Sequence, residues 1–175
     1  MRRALLAAMA ALSLAGPALA QQDLNDVQRQ QLVALVGAYL DDVQQHFAPG
    51  LEPAAGLSDE IAPLEQGADH RWRIELVGGA AYRIIGACDN ECSDIDIELI
   101  DASGAVVASD TLPDDYPIVD HAPTANGAYV VRMIMQRCSV APCFAGVRVL
   151  TQGGTTASGA VTAGTAPTAK RRQAG

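Results

Sequence analysis

The sequence predicts a mainly β protein, an antiparallel β-sandwich preceded by one amphipathic α-helix. Three observations carry that expectation. From His70 to Leu150 apolar and polar residues alternate in short runs, the period of strands with one buried face. Turn residues interrupt those runs roughly every ten positions, the spacing of small sandwiches. Before them, apolar residues recur three and four apart, the period of a helix.

The chain of 175 residues begins with a segment that reads as an export signal. Arg2 and Arg3 give a basic start, an apolar run from Ala4 to Ala15 follows, and Gly16-Pro17 breaks it. Ala18-Leu19-Ala20 then fits the small-x-small cleavage rule, which predicts a signal peptide over 1–20 cut after Ala20. The run is too short to cross a bilayer, which takes about 20 apolar residues. Cleavage removes two arginines and no acid, taking the net charge from −8 to −10. No later segment is apolar enough to span a membrane, so the expected location is periplasmic or secreted.

Residues 21–47 form the helical region, with the helix itself read from Asp23 to Phe47. Asp23 is the expected N-cap, and Asp26 favours the positive end of the helix dipole. Leu32, Val36, Tyr39 or Leu40, Val43 and Phe47 make one stripe. Gln30, Asp41 and Gln45 lie opposite, and Pro49-Gly50 ends the helix. Such a stripe either packs on its own domain or grips another chain. A single stripe usually marks the core face. Residues 48–69, with Pro49, Pro53, Pro63 and three glycines, read as a linker or covering segment.

The sandwich is expected over 70–150. Trp72, Ile74 and Leu76 share one side of the first strand, with Gly78-Gly79 as a hairpin turn. Residues 80–87 give a second strand with Tyr82 and Ile84 inward. The third, 94–100, alternates Ile95, Ile97 and Leu99 against Asp96 and Glu98. Asp101–Gly104 is a turn, 105–109 a short fourth strand and 117–121 a fifth. After Asn126-Gly127 comes a long sixth strand over 128–136, with Tyr129, Val131, Met133 and Met135 on one side. A seventh runs from Cys143 to Leu150. Residues 151–175, rich in Thr, Ala and Gly and carrying Lys170-Arg171-Arg172, lack periodicity and large apolar residues, which predicts a disordered tail.

Cys88, Cys92, Cys138 and Cys143 form an even set in an exported chain, the pattern of two disulfides. Three connectivities exist. Spacing favours Cys88 with Cys92 and Cys138 with Cys143, the crossed pairings need the two loops to meet, and a zinc site is the weaker alternative. Simple up-and-down connectivity would gather the loops 88–93, 110–116 and 137–142 at one end of the sandwich. That end would hold Asp89, Glu91, Asp94, Asp110, Asp114, Asp115 and both cysteine pairs. Hard cations take several such oxygen ligands. A calcium site drawing on Asp89, Asp94, Asp96 and Asp110 is therefore the sharpest cofactor hypothesis, set against acids that merely solubilise turns.

Catalysis finds little support. No serine sits in a G-x-S-x-G elbow, and His46, His70 and His121 lie in three different elements outside any H-E-x-x-H. Disulfides would use every thiol, and no glycine-rich phosphate loop opens a helix. The acidic balance, with an isoelectric point near 4.7, argues against nucleic-acid partners.

The stretch from His70 to Leu150 resembles the bacterial pre-peptidase C-terminal domain, a jelly-roll-like module of secreted proteins. The resemblance rests on R-I-E-L-V-G-G-A-A-Y-R-I (73–84), D-I-D-I-E-L-I-D-A-S-G (94–104) and N-G-A-Y-V-V-R-M (126–133). It implies a non-catalytic accessory module that binds calcium or an extracellular polymer, with Asp94 and Asp96 at the family's Asp-x-Asp position. The two cysteine pairs and the attached helix depart from that pattern. The expected function is an exported, non-catalytic binding or accessory protein whose partner is a protein or an extracellular polymer. An envelope assembly factor acting through the helix, and a hydrolase using a carboxylate pair, are the alternatives.

Overall fold

A computed structural model describes residues 24–153 and 158–160. The expected signal peptide and its Ala20 cleavage point lie outside the described residues, as do 154–157 and 161–175 of the tail. Helix α1 (Asp26–Phe47) leads into β1 (Glu52–Pro53), β2 (Glu60–Leu64), β3 (Asp69–Leu76), β4 (Tyr82–Cys88) and β5 (Cys92–Ile100). Then come β6 (Val106–Asp110), β7 (Ile118–His121), β8 (Gly127–Cys138), β9 (Cys143–Thr151) and β10 (Ser158–Ala160).

The strands form two antiparallel sheets of five. In one the order is β1–β9–β4–β7, with β2 beside β1 along the same edge of β9. In the other it is β10–β3–β8–β5–β6. Trp72, Ile74 and Leu76 of β3, Ile95, Ile97 and Leu99 of β5, and Val131, Met133 and Met135 of β8 turn inward onto Tyr82, Ile84, Val147 and Val149. Alternation thus places one side of each strand in the shared core. The fold class read from the sequence, a β-sandwich preceded by a helix, is the one observed.

The helix adds a third layer. Val36, Leu40 and Val43 pack on Ile85, Ala87, Phe144 and Leu150, the residues of β4 and β9 that point away from the sandwich core. These two strands are therefore buried on both faces, and alternation in them does not separate inside from outside. Gly146 makes the close approach work. A Cβ there would lie 2.8 Å from both Ile61 Cγ1 and Val36 Cγ1. Two arginines bolt the layer down. Arg148 of β9 donates to Asp59 through Nε and Nη2, each at 2.7 Å, and through Nη1 to Asp41 at 2.7 Å and Gln44 at 2.8 Å. Arg83 of β4 pairs with Asp120 in two-pronged fashion at 2.7 Å and donates to the Phe47 carbonyl.

Four features differ from the sequence expectation. The N-cap is Asn25, not Asp23. Its Oδ1 accepts from the Gln28 amide while Gln28 Oε1 accepts from the Asn25 amide, each at 2.9 Å. This reciprocal box outcompetes a lone aspartate two residues earlier. The segment 48–69 is more than a linker, since β1 and β2 run along β9. Pro53 and Pro63 are tolerated there because an edge strand leaves one side of its backbone unpaired. Gly78-Gly79 does not close a hairpin, because β3 and β4 belong to opposite sheets. The glycines instead let two sheet-to-sheet turns touch, for a Cβ on Gly78 would lie 2.5 Å from Ala125 Cα. Finally, the tail expected to be disordered contributes a strand, Ser158–Ala160, paired with Arg73–Glu75.

His121 ends β7 with its ring edge-on to Tyr129 at 5.2 Å. Its Nε2 is buried and has no hydrogen-bond partner among the described residues. Burial holds its pKa below the ordinary 6.5, so the unfolded chain takes up the proton first as pH falls. The stability this neutral ring allows is present above pH 6.5 and is lost on acidification below it. The buried carboxylates of Asp89, Asp96 and Asp114, pushed up chiefly by desolvation, work the other way and are relieved as they protonate. The expected result is that His121→Phe, against wild type, loses less of its melting temperature between pH 7.5 and pH 5.5. Parallel curves for the two proteins over that range would remove His121 as the cause.

Candidate functional site

Among the described residues β1–β2 and β5–β6 join strands of one sheet, and every other connection from β2 to β9 carries the chain between sheets and reverses its direction. The turns after β4, β6 and β8 consequently meet at one end, as expected, although by sheet crossing and not by up-and-down pairing. Cys88–Cys92 closes the β4–β5 turn and Cys138–Cys143 the β8–β9 turn. Cys92 and Cys138 are register partners in β5 and β8, so the two bridges sit side by side. All four cysteines are oxidised in the local pairing that spacing favours.

The acids gathered there have separate duties. Asp89, 3% exposed, accepts the Phe144 amide at 2.7 Å and the Glu91 amide at 3.2 Å, which ties the β4–β5 turn to β9. Burial pushes its carboxyl up, and those backbone donors hold it back. Glu91 joins the two disulfide turns through Ser139, whose amide donates to its carbonyl and whose hydroxyl lies 2.8 Å from its Oε2. Asp94 faces Arg137 at 3.6 Å, and Asp96 accepts from Gln136. Asp110 clamps both ends of the β6–β7 loop, accepting from Leu112 at 3.1 Å and Ile118 at 2.8 Å. Asp114 accepts the Tyr116 amide at 3.2 Å. Asp94, Asp96, Asp110 and Asp114 are close enough to feel one another's charge. Among the described residues, however, no three His, Cys, Asp or Glu side chains are grouped so as to hold a metal ion. Asp89, Asp94, Asp96 and Asp110 share one end of the molecule without converging on one point.

A cleft of about 350 Å³ opens beside these turns, at the seam between α1 and the sandwich. Its helix wall is Tyr39, Asp42 and Val43, and its opposite wall is Asp115 and Tyr116. Ala87 and the Cys88–Cys92 bridge lie between them. Each wall is fixed. Tyr39 donates its hydroxyl to Asn90 Oδ1 at 2.6 Å, joining helix to turn. Tyr116 stacks on Phe47 with ring centroids 5.4 Å apart and planes 12° from parallel. The loop bearing Tyr116 is held by two backbone bonds, Ile95 to the Asp114 carbonyl at 3.0 Å and Gly86 to the Pro117 carbonyl at 2.9 Å. Gly86 is required for the second, because a Cβ there would sit 2.8 Å from Pro117 Cγ.

The sequence pointed to the acidic turns but missed Tyr39, Asn90 and Tyr116. Tyr39 was legible only as one of two candidates for a core position, and the core position belongs to Leu40. Tyr116 stands between Asp115 and Pro117 in a loop, and its exposure of 41% is the signal of a large apolar ring left in solvent. Among the described residues no helix is long and apolar enough to cross a membrane. No family model matches the chain, and no curated protein does either.

Proposed function

We propose that this chain is an exported, non-catalytic binding module that works in the periplasm or outside the cell, with its ligand held in the cleft between α1 and the β4–β5 turn. The cleft carries the reading: two tyrosines, held by a hydroxyl–amide bond and an aromatic stack, flank a fixed concavity. Two local disulfides support a place outside the cytoplasm, where such bonds persist. The Asp-x-Asp residues support an accessory role over hydrolysis. Asp94 lies 3.6 Å from Arg137 and Asp96 accepts from Gln136, contacts that tie both side chains to the neighbouring strand β8. An accessory module of the pre-peptidase C-terminal type fits this arrangement, since residues 94–100 and 127–133 lie on paired strands β5 and β8.

An assembly role through the helix has less support, because Val36, Leu40 and Val43 are already committed to the chain's own sheet. The test is a photo-crosslinking amino acid placed at Asn90, on the cleft, or at Glu75, on the outer face of β3, followed by exposure to the envelope and culture medium of the producing cell. A discrete adduct from position 90 and none from 75 is the expected result. Adducts from 75 alone, or from neither position, would overturn the assignment of the cleft.

A further inference from the structure

From the composition of that same cleft we infer that its ligand presents a cationic nitrogen, an alkylammonium or guanidinium group. The inference rests on the cleft being the binding site and adds the chemical class it accepts.

Four observations point the same way. First, the cleft lining includes carboxylates and phenols but no lysine or arginine. An anionic ligand would find no counter-charge there, and the protein's net charge of −8 would repel it as well. Second, the carboxylates differ in availability. Both oxygens of Asp89 are occupied by backbone amides. Among the described residues the Asp42 carboxylate meets only His46, at 3.4 Å on an exposed helix face. Asp115 is exposed and has no hydrogen-bond or ion-pair partner among the described residues. Two opposed carboxylates, one from α1 and one from the β6–β7 loop, thus remain for a ligand between the walls. Third, Tyr116 is a ring already immobilised by Phe47. A cation over its face gains the quadrupole attraction without the cost of ordering the side chain. Fourth, size sets the limit. About 350 Å³ is at the small end of ligand sites, which run from about 300 to 1,000 Å³, enough for one amine-bearing arm.

Such a group arrives either on a free diamine or on a lysine side chain of a protein partner. The experiment uses the full mature chain, ¹⁵N-labelled, at low ionic strength. It is titrated with 1,5-diaminopentane, with the peptide acetyl-Gly-Lys-Gly-amide, and with the neutral isostere 1,5-pentanediol. Saturable shifts of the Asn90, Asp115 and Tyr116 amides are expected with the amine, the peptide or both, and none with the diol. The tighter of the two identifies the source. Tyr116→Ala should weaken binding about three-fold or more, the scale of one cation–π contact, and Asp115→Asn should weaken it at least as much. Glu75→Gln, on the far sheet, should bind as wild type, and salt should weaken every positive titration. Equal shifts with the diol, an unchanged Asp115→Asn titration, or no shift with either cation would each overturn the inference. If cations fail while the crosslinker at position 90 still captures a ligand, the cation assignment falls alone. If both fail, the cleft itself is not the site.

Discussion

Removing residues 24–48 is expected to destroy the cooperative unfolding transition of the sandwich. The helix chain leaves both the folded and unfolded states, so its own ordering entropy drops out of the comparison. What remains is the sheet face it covered. Ile85, Phe144 and Leu150 are 0%, 3% and 0% exposed beneath α1. Left in water, each forfeits roughly 1.5–3 kcal/mol of burial, about 5–9 kcal/mol for the three. Total stability of a domain this size is about 5–15 kcal/mol, so the loss takes most or all of it. Arg83 and Arg148 lose helix partners at the same time. Thermal unfolding followed by near-ultraviolet circular dichroism, with dye binding as a probe of exposed apolar surface, is the measurement. A truncated chain that melts sharply within about 5 °C of wild type, a shift worth only about 1 kcal/mol, would show that the sandwich stands alone. It would also free the helix for a partner and revive the assembly role.

That helix shows where the sequence was readable and where it was not. Its existence and end followed from residue spacing and from Pro49-Gly50, because both are local effects. Its docking did not, because the residues that receive it, Ile85, Ala87, Phe144 and Leu150, sit at positions where alternation places solvent. Only the apolar run of β9, with Phe144, Ala145, Val147, Val149 and Leu150 broken by Gly146 and Arg148 alone, hinted at a strand covered on both sides. The edge strand Glu60–Leu64 was hidden by its proline, and the sheet-crossing turn at Gly78-Gly79 by its likeness to a hairpin signal. At the cleft the legible part was charge. Acids clustered in turns could be counted, but their duties were set by backbone amides from strands far away in sequence, such as Phe144 for Asp89. Exposure of Tyr116 and its stack on Phe47, 69 residues earlier, are long-range facts that no local pattern carries.

Replacing Arg148 by alanine is expected to destabilise the protein by about 2–4 kcal/mol, somewhat below the 3–5 kcal/mol typical when one member of a fully buried ion pair is removed. The reduction reflects solvent at the partners. The Arg148 side chain is 11% exposed, but that of Asp59 is 28% and that of Asp41 is 69%, so Asp41 regains water and loses little. Asp59 is the costly orphan, because it accepts two parallel bonds at 2.7 Å, the two-pronged geometry in which guanidinium gains most over ammonium. Those bonds, with Asp59 the largest cause, push the Arg148 pKa above its ordinary value, and the group stays charged at every pH at which the protein folds. Alanine also removes the stem that packs between α1 and β9, and Gln44 loses its donor to Oε1. A fall in melting temperature of about 10 °C is the expected reading for a domain of this size. Arg148→Lys should recover only part of it, since one ammonium cannot satisfy both oxygens of Asp59 and reach Asp41 together. If Asp59→Ala and Arg148→Ala each cost under about 0.5 kcal/mol, the range of ordinary surface changes, the cluster contributes nothing to holding helix on sheet. Apolar packing at Gly146 and Leu40 would then carry the third layer by itself.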